Sequence, residues 1–446
     1  MIYSRSHSIS FVTILFVTGF LFINWHANAQ NLSKNDREAG RIMLRNVKDT
    51  VKKNYYDPNF HGLNLDEIFK AADERLDQAT SNGQVFGIIA QAVRQLNDTH
   101  TYFLPPPRAL KVSYDWQIQM VGDQCYILAV KPDTDAEAKG LKAGDILHVV
   151  DGYKITRENF NDFNYLYNAL QPKTTLSVVV QSPGAQPRRV EFNASTRQGK
   201  KLLLDVDSGM IDWFDLIREQ DEYNKINEHR FKSYGDDLYI WKMPQFDLTP
   251  QTVNEFVERT NRCKTLIIDL RGNPGGYEET LLRLIGDLFE HDVKLGEIKR
   301  RDECKQLVAK TRGHDIFKGQ LILLVDNRSA SAAELLSRVV QLEKRGVVIG
   351  DRTAGAVMRS KAHSLALGDS SRILYGASVT DADVMMTDGN SLEHNGVVPD
   401  KMILPTGADL REQSDPVLSA AAALAGVKLD PKVAGALFPI RWKLKP

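Results

Sequence analysis

Leu321 to Val357 reads LILLVDNRSASAAELLSRVVQLEKRGVVIGDRTAGAV. The apolar run Leu321–Val325 has strand character, a polar turn follows, and a helical pattern begins at Ser331. A second apolar strand pattern, Val347–Ile349, comes after the helix. This order sets a serine hydroxyl at a strand-to-helix junction, where free backbone N–H groups and the positive helix end stabilise an oxyanion. Such a serine is a nucleophile if a base reaches it. No lysine stands close after the second strand, where Gly355-Ala356-Val357 is found, so the base has to come from elsewhere in the chain. Ser331-Ala332-Ala333-Glu334 also has the spacing of a capping box, and on this segment alone capping is the simpler explanation.

Outward from this stretch the pattern repeats. Leu238–Met243, Thr265–Leu270 and Ile373–Ser378 are strand-like, and Tyr277–Glu290 is helix-like. Strand and helix in alternation predict a largely parallel sheet covered by helices over residues 236–428, with a tail at 429–446. Upstream, 197–235 is polar and mixed and reads as a linker. Residues 110–196 change to short strands at Gln117–Met120, Cys125–Val130, Ile146–Val150 and Thr175–Gln181, with glycine-bearing turns. Within them Ala136-Glu137-Ala138-Lys139-Gly140-Leu141-Lys142-Ala143-Gly144-Asp145-Ile146-Leu147 and Val149-Val150-Asp151-Gly152 closely resemble the PDZ module, which binds peptide ends by strand addition. That module's carboxylate-binding loop has glycines alternating with apolar residues, and Trp116-Gln117-Ile118-Gln119-Met120 has none. Residues 30–108 are helical in pattern, at Asp36–Tyr55, Leu65–Leu76 and Val85–Leu96, and Leu104-Pro105-Pro106-Pro107 closes them.

The first 29 residues read as a signal peptide. Arg5 is its positive end, Phe11–Ile23 its apolar run, and Ala27-Asn28-Ala29 its small-x-small cleavage pattern. Cleavage after Ala29 leaves Gln30 first and implies an exported protein, periplasmic or secreted, that meets the membrane only through this segment. An uncleaved anchor is the alternative. Across 446 residues, 57 Lys plus Arg balance 57 Asp plus Glu, which gives no nucleic-acid footprint. Three cysteines, Cys125, Cys263 and Cys304, allow at most one internal disulfide and are too far apart for a metal site; Cys263, before an apolar strand, reads as a small core residue.

Three further motifs bear on Ser331. Ile267-Ile268-Asp269-Leu270-Arg271-Gly272-Asn273-Pro274-Gly275-Gly276 is a buried strand ending in a glycine-rich turn, able to aim N–H groups at an anion or simply to make a tight connection. Leu96-Asn97-Asp98-Thr99-His100-Thr101 offers a histidine base, provided a carboxylate holds its other nitrogen. Glu393-His394-Asn395-Gly396-Val397-Val398-Pro399-Asp400 is a loop whose Glu393 is a candidate for that carboxylate, or an acid facing water.

In this order the four motifs resemble the C-terminal processing (tail-specific) peptidase family, over nearly the whole chain that follows the expected signal peptide, the helical N-terminal part and the PDZ-like stretch included. The family's better-known branch places a lysine after a Thr-x-Gly turn. Here Thr353-Ala354-Gly355 is followed by Ala356, and Lys361 lies further on. The chain therefore resembles the other branch, related to the catalytic domain of the tricorn protease. That resemblance implies Ser331 as nucleophile, His100 as base, Glu393 as third member and Thr99 as an auxiliary hydroxyl. It also implies an oxyanion hole from the N–H groups of Ala332 and of Gly275 or Gly276. The implied fold is multidomain α+β: an N-terminal helical region, a PDZ-like β domain and a crotonase-like (ClpP/crotonase) α/β catalytic domain. The implied activity is a serine peptidase that cleaves protein or peptide substrates through an acyl-enzyme, with no metal and no cofactor. A binding protein of the same fold without turnover is the alternative. No oligomeric state follows from the sequence.

Overall fold

The computed structural model describes residues 32–108, 110–198, 228–368 and 372–442. The expected signal peptide and most of the expected linker lie outside the described residues.

The strand Gln320–Val325 runs through the middle of a six-stranded sheet. In spatial order the sheet is Arg230–Tyr234, Leu238–Lys242, Thr265–Asp269, Gln320–Val325, Gly346–Gly350 and Lys401–Met402. The first pair is antiparallel and the remaining pairs are parallel, with Ile240, Ile267, Ile322 and Val347 in register. Continuous apolar runs arise because both faces of such strands are buried. Leu321, Leu323 and Val325 pack on one face with the helices Pro250–Glu258, Glu278–Leu288 and Ala332–Leu342, while Ile322 and Leu324 pack on the other with Pro416–Leu424 and Pro431–Leu437. All five side chains of Leu321–Val325 are fully buried, and truncating one, as in Leu323→Ala, costs about 2–5 kcal/mol. The strand Arg230–Tyr234 falls inside the stretch expected as linker, and the helix Pro431–Leu437 inside the stretch expected as tail.

A second sheet is antiparallel. Its spine is the 14-residue strand Ile373–Met386, flanked by Arg359–Leu367, by Tyr102–Leu104 and by the hairpin Val293–Lys299/Cys304–Ala309. The N-terminal helices Lys34–Asn54, Leu65–Leu76 and Asn82–Arg94 share a core with this sheet through Phe103, Tyr375, Ala377 and Val379. Pairing of Tyr102–Leu104 with Gly376–Ser378 brings the Asn97–His100 loop, from the opposite end of the chain, to the edge of this second sheet.

Residues 116–193 form a separate six-stranded antiparallel sheet with its own core around Met120, Ile127, Leu147, Val178 and Phe192. The three cysteines are free, and it is Cys125 that is buried in a core, whereas Cys263 is half-buried.

Candidate active site

Ligand sites of open α/β sheets gather outside the carboxyl ends of the strands. Here Thr265–Asp269 delivers the glycine turn, Gln320–Val325 delivers Ser331, and Gly346–Gly350 delivers Thr353–Val357.

Ser331 immediately precedes the helix Ala332–Leu342 and adopts φ 54°, ψ −118°. That backbone conformation is strained for a residue with a side chain, and a sharp strained strand-to-helix turn is how a nucleophile is lifted out of a sheet. Three contacts hold it. Its N–H donates to the Ala356 carbonyl at 2.8 Å and to Glu334 Oε2 at 3.1 Å, and its carbonyl accepts the Glu334 N–H at 2.9 Å. The glutamate of the expected capping box therefore reaches back as predicted.

Glu334 does far more than cap. Fully buried, its Oε1 accepts from the Thr353 hydroxyl at 2.5 Å and the Gly355 N–H at 2.8 Å, and its Oε2 also accepts from the Ala356 N–H at 2.9 Å. Burial pushes the Glu334 carboxyl up to about 7, against the pull of those donors. Thr353 Oγ1 in turn accepts the Val397 N–H at 2.6 Å, tying in the Glu393 loop. The sequence reading missed this hub; its signals were the glutamate of Ser-x-x-Glu and the threonine of Thr-x-Gly. At the position where the other branch has a lysine, the Ala356 carbonyl pins Ser331. Lys361 is 3.1 Å from Asp381 and Lys242 is 3.1 Å from Asp269, so both of these amines are committed to carboxylates.

The glycine turn is held against Ser331. Asn273 is buried, donates through Nδ2 to the Met243 carbonyl, accepts the Ala330 N–H on its own carbonyl, and accepts the Gly275 N–H at 2.8 Å on Oδ1. The Gly275 N–H is thus spent, which leaves Gly276 of the two expected oxyanion donors. The Gly276 N–H makes no hydrogen bond within the described residues, and the residue is exposed. The contribution of Gly275 is steric: at φ 97°, a Cβ there would come 2.6 Å from Ser331 Cβ and 3.0 Å from the Ala332 nitrogen. Ala332 opens the helix, so its N–H has no intrahelical acceptor. Beneath the turn, Arg271 bridges Asp269 and Asp415 with short ion pairs at 2.8 and 2.7 Å.

On the facing wall, Asp98 Oδ1 accepts the N–H groups of His100 (2.9 Å) and Thr101 (2.6 Å) and the Thr380 hydroxyl (2.8 Å), which fixes the His100 loop. Its spacing, an aspartate two residues before the histidine, is that of an Asx turn. His100 Nδ1 lies 2.8 Å from Thr99 Oγ1. Burial pushes the His100 imidazole below its usual value, opposed by the charges of Glu393 and Asp98. Both oxygens of Glu393 accept from backbone: Oε1 accepts the Thr99 N–H at 2.7 Å and Oε2 the Val357 N–H at 3.0 Å. Glu393 therefore acts on the imidazole by charge and through the Thr99 backbone, and the atom facing Nδ1 is the Thr99 hydroxyl. Ser331 and His100 are not hydrogen-bonded to each other. Glu393 joins their walls, because Val357 directly follows the Ala356 that pins Ser331.

Residues 238–403 match the model described as Peptidase family S41. A carboxyl-terminal-processing protease of Picosynechococcus sp. is 22% identical over 336 residues, covering 72% of this chain and 73% of that one. The chloroplastic C-terminal processing peptidase of Tetradesmus obliquus is 23% identical over 395 residues, covering 80% and 75%. Among solved structures, mature CPAF superposes with a TM-score of 0.62 at 14% identity, covering 85% of this chain and 95% of that one. The photosystem II D1 C-terminal processing protease superposes with a TM-score of 0.52 at 20% identity, covering 90% and 100%. These likenesses support the mixed multidomain architecture, and the match over 238–403 assigns that stretch to peptidase family S41, which makes the protein a serine-type peptidase.

Proposed function

We propose that the protein is an exported peptidase that processes the carboxyl-terminal regions of proteins or peptides, with Ser331, His100 and Glu393 as its catalytic residues. His100 Nε2 takes the Ser331 hydroxyl proton as Oγ attacks the scissile carbonyl. The resulting oxyanion is held by the N–H groups of Gly276 and Ala332. The imidazolium then gives its proton to the leaving amine as the C–N bond breaks, and water hydrolyses the acyl-enzyme by the same route in reverse. Thr99 Oγ1 accepts a hydrogen bond from Nδ1–H, so that Nε2 carries the free lone pair, and Glu393 stabilises the imidazolium through its charge. The observation that carries this reading is the bridge made by Glu393, from the Thr99 N–H beside the base to the Val357 N–H beside the residue that pins the nucleophile.

The carboxyl-terminal preference is supported by the names of the relatives, and export by the signal pattern of residues 1–29. Residues 110–196 are assigned as a PDZ-like module that recruits peptide, and 236–428 as a crotonase-like catalytic domain. The test is digestion of unstructured peptides, with free and with amidated carboxyl termini, followed by mass spectrometry beside Ser331→Ala. The reading predicts cleavage by the wild type only, with a preference for free ends. Intact peptides after incubation with folded wild-type protein contradict it.

A further inference from the structure

The Glu393 loop reaches the base-bearing loop twice, and the second contact belongs to a residue with no role so far. His394 Nε2 lies 2.7 Å from the Asn97 carbonyl oxygen. A carbonyl only accepts, so Nε2 carries the hydrogen and donates, whether the ring is neutral or charged. Glu393 and His394, adjacent in sequence, thus hold Thr99 and Asn97 of the same loop, from nearly 300 residues away along the chain. Both ends of the second contact sit in the left-handed region, Asn97 at φ 53° and His394 at φ 62°. Such backbone is uncommon outside glycine and persists where surrounding contacts enforce it. At His394 the enforcing contacts lie on the nucleophile side: its N–H donates to the Gly355 carbonyl at 2.8 Å, and Gly355 packs so closely that a Cβ there would meet the His394 carbonyl carbon at 2.8 Å. Gly355 is itself held by Glu334. The backbone of His394 is therefore fixed to the wall that carries Ser331, and its imidazole to the wall that carries His100.

We infer that His394 is a positioning residue, a strut that sets the spacing between the nucleophile turn and the base loop. This rests on the reading of His100 as the base. The imidazole of His394 is 44% exposed, so its removal opens no core cavity and the fold tolerates its loss. What is lost is the registration of two walls that otherwise touch through Glu393. Small misplacements of reacting groups are expensive in rate, whereas peptide binding along the rest of the cleft is unaffected.

The experiment is peptide turnover, together with the rate of covalent labelling by a serine-directed phosphonate, in His394→Ala, His394→Gln, His394→Leu and His100→Ala. The strut predicts that His394→Ala and His394→Leu lower kcat roughly 10-fold and the labelling rate by a similar factor, with KM changed less than about 2-fold. Glutamine carries an N–H at a reach similar to that of Nε2, so His394→Gln recovers kcat to within about 3-fold of the wild type. Thermal midpoints of the His394 variants stay with the wild type. Full kcat in His394→Ala, or a His394→Gln as slow as His394→Ala, overturns the strut while a dead His100→Ala leaves the base assignment standing. Undiminished turnover by His100→Ala removes the base assignment and the strut together.

Discussion

Glu393 Oε1 accepts the Thr99 N–H at 2.7 Å, so the acid of this site grips the backbone next to the histidine and leaves the Nδ1 side to the Thr99 hydroxyl. Its other oxygen holds the Val357 N–H on the nucleophile side. Glu393→Ala removes both contacts and the charge that favours the imidazolium. A loss of kcat on the order of 10²–10⁴ is expected, as for other orienting acids. Glu393→Gln keeps one acceptor but turns an amide N–H against a backbone N–H, so it should recover only part of that loss. Steady-state kinetics with one peptide substrate measures both.

The pH profile carries a sign that can be checked. Burial lowers the His100 value below the ordinary 6.5, so the neutral base survives to more acid pH than a free imidazole would. The acid limb of kcat/KM should therefore lie below pH 6.5. The Glu393 charge opposes that shift by raising the histidine. Removing the charge in Glu393→Gln should move the limb further toward acid, on top of the lower rate. A limb above 6.5 in the wild type would contradict the placement of His100 in a buried site.

Ser331 stores strain. At φ 54°, ψ −118° a side chain costs about 1–3 kcal/mol, and glycine relieves it at an entropic cost of about 0.5–1 kcal/mol. Ser331→Gly should melt above Ser331→Ala, by about 2 °C, although both are inactive. Calorimetry of the two variants decides the point, and equal or reversed midpoints would argue that the turn is relaxed.

Glu334 accepts four hydrogen bonds with two oxygens. A glutamine there offers one acceptor and points N–H groups at two donors, so Glu334→Gln should lose about 2–4 kcal/mol of stability and most of the activity. Its folded-state value of about 7 lies above the ordinary 4.5. With that sign its contribution is fully present below pH 4.5 and is lost as pH rises through about 7. Denaturant melts across that window should slope downward in the wild type and flatten in Glu334→Gln.

The strands of the central sheet were legible because burial on both faces writes unbroken apolar runs such as Leu321–Val325 and Leu266–Ile268. The helices Lys34–Asn54 and Leu65–Leu76 were legible from their three- and four-residue apolar spacing. The second sheet was not. Arg359–Leu367 alternates polar and small residues with one half-buried face, and the hairpin Val293–Lys299/Cys304–Ala309 is rich in charge, so neither writes a clear apolar pattern. Of the motif residues, Ser331, His100 and Glu393 were singled out by the family resemblance of four motifs in order, since each segment alone also has a plain structural reading. Glu334 was legible only as a capping acid, and Asp98 and Asn273 carried no reading of their own, because their further work is done largely on backbone N–H groups, and such a side-chain-to-main-chain hydrogen bond has no signature of its own in a sequence.

The most direct test of the central claim is the rate of phosphonate labelling of the purified protein, with the modified residue mapped by peptide mass spectrometry. The account predicts label on Ser331 of the wild type, none in Ser331→Ala, and a rate at least about 100-fold lower in His100→Ala. Labelling of folded His100→Ala at the wild-type rate, or label on a residue other than Ser331, would contradict it.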